Sequence, residues 1–408
     1  MVPKGFMVVA GEPSGDLLAA DLVRALREAF TTIDAGSGGF SQPLHASLAP
    51  RFFGAGGSAM AREGVELIFD MTQHAVVGLS DALRKLATFR RLLKTLVHAA
   101  LQRQPHAIIC VDFSGFNLRL ARAIRQQANR QRGPFCNWNP KIIQFVSPQV
   151  WASRPGRAQW LARDADLLLT IFPFEKDWYA RHAPGLKVEF VGHPIMDRYA
   201  DWKGERLSAE PRVLFLPGSR VGELRRHVPV MGETARLLEG RRPLQKDMVL
   251  PNRELTEVAR ALLPSGSDIR LQTGGLPELL SRADLAIAAT GTVTMECAYF
   301  GVPTVAMYKT SWTTYQLARR IIKVNYLAMP NLLAGEQVFP EFIQDAATPQ
   351  NLARAASDLL ADPTRRSEIK TKLTRVIASL GPPGASQRAA HAILSVLSLS
   401  PETVKTEN

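Results

Sequence analysis

The feature that most constrains this chain is a repeated pair of patterns. A short, almost wholly apolar run is followed each time by a longer stretch whose apolar residues fall at helical spacing. Phe6–Ala10, Ala107–Asp112, Ile142–Val146, Leu167–Ile171 and Val188–Val191 read as strands in the first half. Val213–Leu216, Met248–Leu250, Ile269–Gln272, Leu285–Ala288 and Thr304–Tyr308 do so in the second. Strands apolar on both faces need cover on both, so their alternation with helices predicts parallel sheets between helical layers. The halves also echo each other. Phe6–Ala10 runs into Gly11-Glu12-Pro13-Ser14-Gly15-Asp16 and a helix, and Val213–Leu216 runs into Pro217-Gly218-Ser219-Arg220 and a helix. Two doubly wound α/β domains are the economical account of 408 residues. We expect residues 1–200 and 201–384, with a polar boundary near Asp201–Arg212. The break Gly381-Pro382-Pro383-Gly384 then leads to a last segment, 385–408, that opens with an amphipathic helix and packs back on the first domain. Ligands of such sheets gather at the carboxyl ends of strands, so the cleft between the domains is the expected site.

With 46% hydrophobic and 21% charged residues the chain can fill two cores, which excludes wholesale disorder. Lys and Arg number 50 against 37 acids, a net charge of +13, which implies a phosphate-rich partner. Nucleic acid fits poorly, because the basic residues are dispersed and no zinc-finger spacing or aromatic RNA-binding strand is present. The three cysteines are isolated, which suits a reducing compartment. Met1–Phe6 enters a strand with no apolar signal core. Leu285–Tyr308, the least charged window, is broken by Gly291, Glu296, Gly301 and Pro303, so it reads as strand, loop, helix and strand and not as a membrane span. Ala82–Leu101 is different. It carries Arg84, Lys85, Arg90, Arg91 and Lys94 with no acid, beside the apolar loop Ala75–Leu79. That pattern suits an anionic membrane surface, and equally an ordinary domain helix with a basic outer face.

Several loops carry residues able to do chemistry. Gly218-Ser219-Arg220 opens a helix, where backbone N–H groups and a guanidinium make an anion site; the same residues also make a plain strand–helix turn. Thr290-Gly291-Thr292 precedes Glu296, a carboxylate placed to hold the two hydroxyls of a ribose. Asp112 closes a strand, the position of a general base, although aspartate also caps helices there. His193, in Val191-Gly192-His193-Pro194, can approach a phosphate or sugar, although a lone turn histidine is more often structural. Asp164-Ala165-Asp166 runs straight into a strand and reads as cap and turn chemistry, so no metal and no cofactor is expected.

Together these motifs resemble the lipid-A-disaccharide synthase family of Gram-negative outer-membrane synthesis. The resemblance is carried by Gly11–Asp16, Val77-Gly78-Leu79, Ser147-Pro148-Gln149-Val150-Trp151-Ala152 and Phe172-Pro173-Phe174-Glu175-Lys176. It continues in Val191–Pro194, Leu216–Arg220, Thr290–Thr292 with Glu296, and Pro330-Asn331-Leu332-Leu333-Ala334-Gly335. It implies a GT-B fold, two Rossmann-like doubly wound domains facing across a cleft, and an inverting, metal-independent glycosyl transfer. In that reaction 2,3-diacylglucosamine passes from UDP-2,3-diacylglucosamine to 2,3-diacylglucosamine 1-phosphate (lipid X), giving a β-1,6 disaccharide and UDP. Carried over by position, Asp112 is the catalytic aspartate. Gly218, Ser219, Arg220, Gly291, Thr292, Glu296 and Asn331 bind the UDP donor, and Glu12, Ser14, Gly15, Asp16, Asn117 and His193 line the acceptor side. Gly115 stands where the family has a second aspartate. The resemblance places the enzyme on the cytoplasmic face of the inner membrane, with an anionic lipid surface as partner and a homodimer left open. Two other readings share these loops: another GT-B UDP-sugar enzyme (a UDP-N-acetylglucosamine lipid transferase or a 2-epimerase), or a non-catalytic, membrane-associated nucleotide-sugar binder.

Overall fold

In a computed structural model, residues 5–35, 50–75, 82–202, 211–239 and 244–397 are described. The chain divides into two units. One takes residues up to Arg198 together with those from Leu380 onward, and the other is Tyr199–Ser379.

The first unit holds a seven-stranded, all-parallel sheet in the order β3-β2-β1-β4-β5-β6-β7. Its strands are β1 (Gly5–Ala10), β2 (Arg51–Gly56), β3 (Glu66–Asp70), β4 (Ala107–Val111), β5 (Lys141–Phe145), β6 (Leu167–Thr170) and β7 (Val188–Phe190). The second holds six parallel strands in the order β10-β9-β8-β11-β12-β13. These are β8 (Arg212–Leu216), β9 (Gln245–Leu250), β10 (Arg270–Thr273), β11 (Leu285–Ala289), β12 (Thr304–Tyr308) and β13 (Glu341–Ile343). All five residues of β4 and of β11 are buried, as central strands covered on both faces must be.

In each sheet the first strand in chain order lies inside the sheet, and the chain then reverses direction across it. That reversal leaves a crevice at the carboxyl ends of β1 and β4, and another at the carboxyl ends of β8 and β11.

Three strands escape the sequence pattern. β2 reads Arg-Phe-Phe-Gly-Ala-Gly, and glycine inside a run argues against a strand. Yet Gly54 is required there: its φ is +155°, and a Cβ would sit 1.9 Å from the Val8 carbonyl oxygen of β1. β3 and β13 are sheet edges with no fully buried residue, so their apolar signal is weak. The window Leu285–Tyr308 folds as expected, with the helix Thr292–Tyr299 between β11 and β12. Among the described residues no helix is long and apolar enough to cross a membrane.

The final helix, Ala385–Val396, belongs to the first unit and packs on the helix Pro13–Ala35. Ala385, Ala389 and Ala390 of the one helix and Ala19, Leu22 and Leu26 of the other are buried. Asp197 caps it, accepting from the backbone N–H groups of Gly384 and Ala385. Arg388 donates to the carbonyls of Val191, Pro382 and Pro383 at 2.7–2.8 Å and fixes the preceding turn.

Candidate active site

In the first unit the polar residues gather where β1 and β4 end. Gly11–Asp16 leaves β1 and starts the helix Pro13–Ala35, and Asp112–Asn117 leaves β4 and starts the helix Ser114–Gln131. Asp112 is half-buried, and its backbone is left-handed, with φ +47°. Phe113 (φ +44°) and Val146 (φ +68°), at the end of β5, share that conformation. Only five non-glycine residues among those described have positive φ, and three of them lie here. Such a backbone is costly for a β-branched valine, so the surrounding hydrogen bonds must impose it. They are present. The Asp112 N–H donates to the Phe145 carbonyl at 2.8 Å. The buried Asn117 amide donates to the carbonyls of Asp112, Val111 and Val9 at 2.8, 3.2 and 3.4 Å. Buried Gln144 donates to the carbonyls of Val146 and Asp112 at 3.1 and 3.3 Å. The Asp112 carboxyl is thus held on an over-determined frame. Burial pushes its proton affinity up, the nearby Glu12 carboxylate adds to this, and a hydrogen bond from the Phe113 N–H works against both.

The remaining acceptor-side residues separate by burial. Glu12 is half-buried and Ser14 exposed, while a Cβ added at Gly15 would lie 3.8 Å from the Asp112 Cβ. Asp16 is not presented to a ligand. Its two carboxylate oxygens accept from the backbone N–H groups of Gly57, Ala59 and Met60 at 2.6–3.2 Å, capping the short helix Ser58–Arg62. Asn117 is wholly buried and acts on the Asp112 backbone. His193, at the end of β7, accepts the Ile195 N–H on Nδ1 at 3.1 Å and packs 5.4 Å from the Phe172 ring. Burial pushes its pKa down to about 4, so it is a neutral imidazole near pH 7.

In the second unit Gly218 has φ +115°, a backbone that favours glycine, and it lets the chain leave β8 for the helix Val221–Glu239. The Ser219 N–H points at the start of that helix and donates to the Glu223 carboxylate at 3.1 Å. An anion therefore already lies on this loop, and it is the chain's own. Arg220 is two-thirds exposed and lies 3.9 Å from the same carboxylate. Arg225 and Arg226 face solvent, but His227, which the basic cluster suggests should do the same, is wholly buried. Its Nδ1–H donates to the Pro217 carbonyl at 2.7 Å, and its Nε2 accepts the Lys309 N–H at 3.0 Å. One imidazole thus ties the loop after β8 to the end of β12. Gly291 and Thr292 are exposed after β11. One turn on, Glu296 is half-buried, and its Oε1 accepts the Tyr199 hydroxyl at 2.8 Å.

Asn331 is 0% exposed, and its amide is fully occupied. It donates to the Phe339 carbonyl at 2.8 Å and to Glu341 at 2.7 Å, and it accepts from the N–H groups of Val338 and Phe339 at 2.9 and 2.7 Å. With no surface to offer, it pins the strand Glu341–Ile343 to the helix Met329–Ala334. The loop Val77–Leu79 and the side chains of Arg84 and Lys85 lie outside the described residues. No group of three or more potential metal ligands occurs among the described residues.

Gln144, Glu223 and His227 have clear roles but no distinctive sequence signal, and Glu175 is marked only by its place in the motif Phe172–Lys176. Glu175 is 1% exposed at the start of the helix Pro173–His182. It accepts from Trp151 Nε1 at 3.0 Å and from the Phe172 N–H at 3.1 Å. Glutamate at the third helical position is a capping signal, but the usual Ser or Thr partner is replaced here by Phe172.

Two parallel sheets of this order, each with polar residues gathered at its switch point, are the architecture of the GT-B fold. Solved structures agree at the level of fold. The UDP-GlcNAc 2-epimerase of Neisseria meningitidis, solved bound to UDP-GlcNAc, matches with a TM-score of 0.60 at 12% identity, covering 96% of this chain and 100% of that one. The calicheamicin glycosyltransferase matches with a TM-score of 0.59 at 15% identity, covering 98% and 99%. The family is defined by sequence: the profile for Lipid-A-disaccharide synthetase matches residues 6–396. The lipid-A-disaccharide synthase of Myxococcus xanthus is 35% identical over 405 residues, 97% of this chain and 98% of that protein. This chain belongs to the lipid-A-disaccharide synthase family and is a glycosyltransferase.

Proposed function

We propose that this chain joins two acylated glucosamines at the inner, cytoplasmic face of the inner membrane. The 6-hydroxyl of 2,3-diacylglucosamine 1-phosphate attacks the anomeric carbon of UDP-2,3-diacylglucosamine. The new O6–C1 bond forms as the C1–O bond to the diphosphate breaks, with inversion, and the hydroxyl proton passes to Asp112. The observation that carries the reading is that carboxyl itself: fixed at a switch point by Asn117 and Gln144, and tuned upward by burial and Glu12. A base of raised pKa is a better proton acceptor in the transition state. A Cβ at Gly115 would meet nothing within 4 Å.

The leaving diphosphate is stabilised by the Ser219 N–H, the start of the helix Val221–Glu239 and Arg220. To accept it, Glu223 must first leave the Ser219 N–H. Glu223→Gln keeps an acceptor for that N–H and removes the competing charge. It should bind UDP about fivefold more tightly, worth ~1 kcal/mol, with uridine unaffected, by calorimetry. Equal or weaker UDP binding would reject the competition. Glu296 takes the ribose hydroxyls, so Glu296→Ala should raise the donor KM about tenfold at nearly constant kcat. Tyr199→Phe, which removes the Tyr199 hydroxyl from Glu296, is the control and should leave KM within about twofold.

Both substrates carry acyl chains, so the enzyme works at a bilayer. The helix Ala82–Arg103 supports this reading: Leu92, Leu96 and Ala100 are buried, while Arg90, Arg91 and Lys94 are exposed. The whole reading is tested by mass spectrometry after incubation with both acylated substrates. Disaccharide and equimolar UDP are expected; donor hydrolysis or epimerisation without disaccharide would refute it.

A further inference from the structure

The helix Trp312–Ile321 in the second unit is unlike its neighbours. It forms for local reasons: Ser311 caps it, with Oγ accepting the Thr314 N–H at 3.3 Å, and the Ile322 N–H closes its last turn on the Ala318 carbonyl at 2.8 Å. A helix of this length normally owes its stability to an apolar face packed on the core. The helix Pro349–Ala361 does so through Leu352, Ala356, Leu359 and Leu360. Trp312–Ile321 buries no residue at all. Trp312 is 69% exposed, Leu317 59% and Ile322, just past the end, 37%. These are three of the seven large hydrophobic side chains exposed among the described residues, gathered in one short segment.

The charge around them has one sign. No acidic residue lies between Glu296 and Glu336. Arg319, Arg320 and Lys323 are exposed, and none of them stands in an ion pair among the described residues. At 100° per residue Trp312, Gln316, Arg320 and Thr313 share one side of the helix, and Leu317, Ile321 and Ala318 the other, with Ile322 and Lys323 just past its end. Water is a poor solvent for such a patch. A bilayer interface is a good one: it accepts an indole and aliphatic side chains at headgroup depth, and lipid phosphates neutralise the cations.

We infer that Trp312–Lys323 is a membrane-docking surface that seats on an anionic lipid bilayer, separate from the basic helix Ala82–Arg103. The inference rests on the proposal that the enzyme works at a membrane, and it adds a surface that proposal does not use. No residue of this surface belongs to the catalytic or donor-binding set.

The test is co-sedimentation of the full chain with vesicles of mixed phosphatidylglycerol and phosphatidylcholine, and with phosphatidylcholine alone. Two triple variants are compared with the wild type: Trp312→Ser with Leu317→Ser and Ile322→Ser, and Arg319→Glu with Arg320→Glu and Lys323→Glu. Each is expected to lose about tenfold or more in partitioning to anionic vesicles. Thermal unfolding and turnover on detergent-dispersed substrates should stay at wild-type values. A third variant, Arg90→Glu with Arg91→Glu and Lys94→Glu, separates the two ideas. If it alone loses binding, the present inference fails and the membrane reading stands. If the wild type binds no vesicle, both fail. Wild-type vesicle binding by the Trp312 variant, with either an altered oligomeric mass or a raised KM for dispersed substrates, would assign the patch to another copy of the chain or to substrate acyl chains, and would overturn the inference.

Discussion

Asp112→Asn is expected to lower turnover about a thousandfold while UDP binds as it does to the wild type. The substitution is unusually clean at this position. Asparagine tolerates the left-handed backbone that Asp112 adopts, and its side-chain carbonyl can still accept the Phe113 N–H. The frame made by Asn117 and Gln144 grips the backbone of residue 112, not its side chain, so it survives. What is lost is the capacity to take a proton. The pH dependence gives a second readout. Because burial and Glu12 raise the Asp112 pKa, activity should rise with pH as this carboxyl ionises, on a limb above the ordinary aspartate range. Glu12→Gln removes one of the two causes and should move that limb to lower pH. A limb unmoved by Glu12→Gln, or turnover within tenfold of wild type in Asp112→Asn, would remove Asp112 from the role of base.

The central strands were legible because nothing but a two-sided cover explains runs such as Leu285–Ala289. The same logic fails for β2, where the requirement is close approach of two backbones. Gly54 satisfies that requirement by having no side chain, and in a sequence such a glycine looks like a loop. The edges β3 and β13 fail for a different reason. They bury little, so little distinguishes them from loops.

For the candidate site residues, the place in the fold was legible but the division of labour less so. Asp112, Glu12, Ser219, Arg220 and Glu296 all fall at the switch points, where strand order alone would put them. Motif membership does not separate a residue that meets a ligand from one that holds the frame. Asp16, Asn117 and Asn331 lie in the same motifs, yet the Asp16 carboxylate and the Asn117 NH2 bond to backbone groups, and Asn331 to backbone groups and Glu341. That distinction depends on which backbone groups lie opposite them, and those come from segments far away in sequence: Gly57 for Asp16, Val9 for Asn117. Glu223 shows the converse. It reads as an ordinary helix residue, and only the fold reveals that it occupies the N–H proposed for the donor's diphosphate.

Glu175 supplies the largest expected effect on stability, and its sign runs against the usual carboxylate. Trp151 and the Phe172 N–H donate to it, but burial outweighs them and pushes its pKa from 4.5 up to about 7. Between those values the folded protein holds a proton that the unfolded chain has released. Stability from this group is therefore fully present below about pH 4.5 and is lost as pH rises to about 7, by roughly 3 kcal/mol at ~1.4 kcal/mol per pH unit. Glu175→Gln is neutral throughout and has no such slope. The difference in unfolding free energy between the two proteins, from urea titrations at pH 5 to 8, isolates this one group from every other titration. It should move in favour of the glutamine variant as pH rises. A flat difference would mean that the Glu175 carboxyl stays ionised in the fold, with the donors around it outweighing burial.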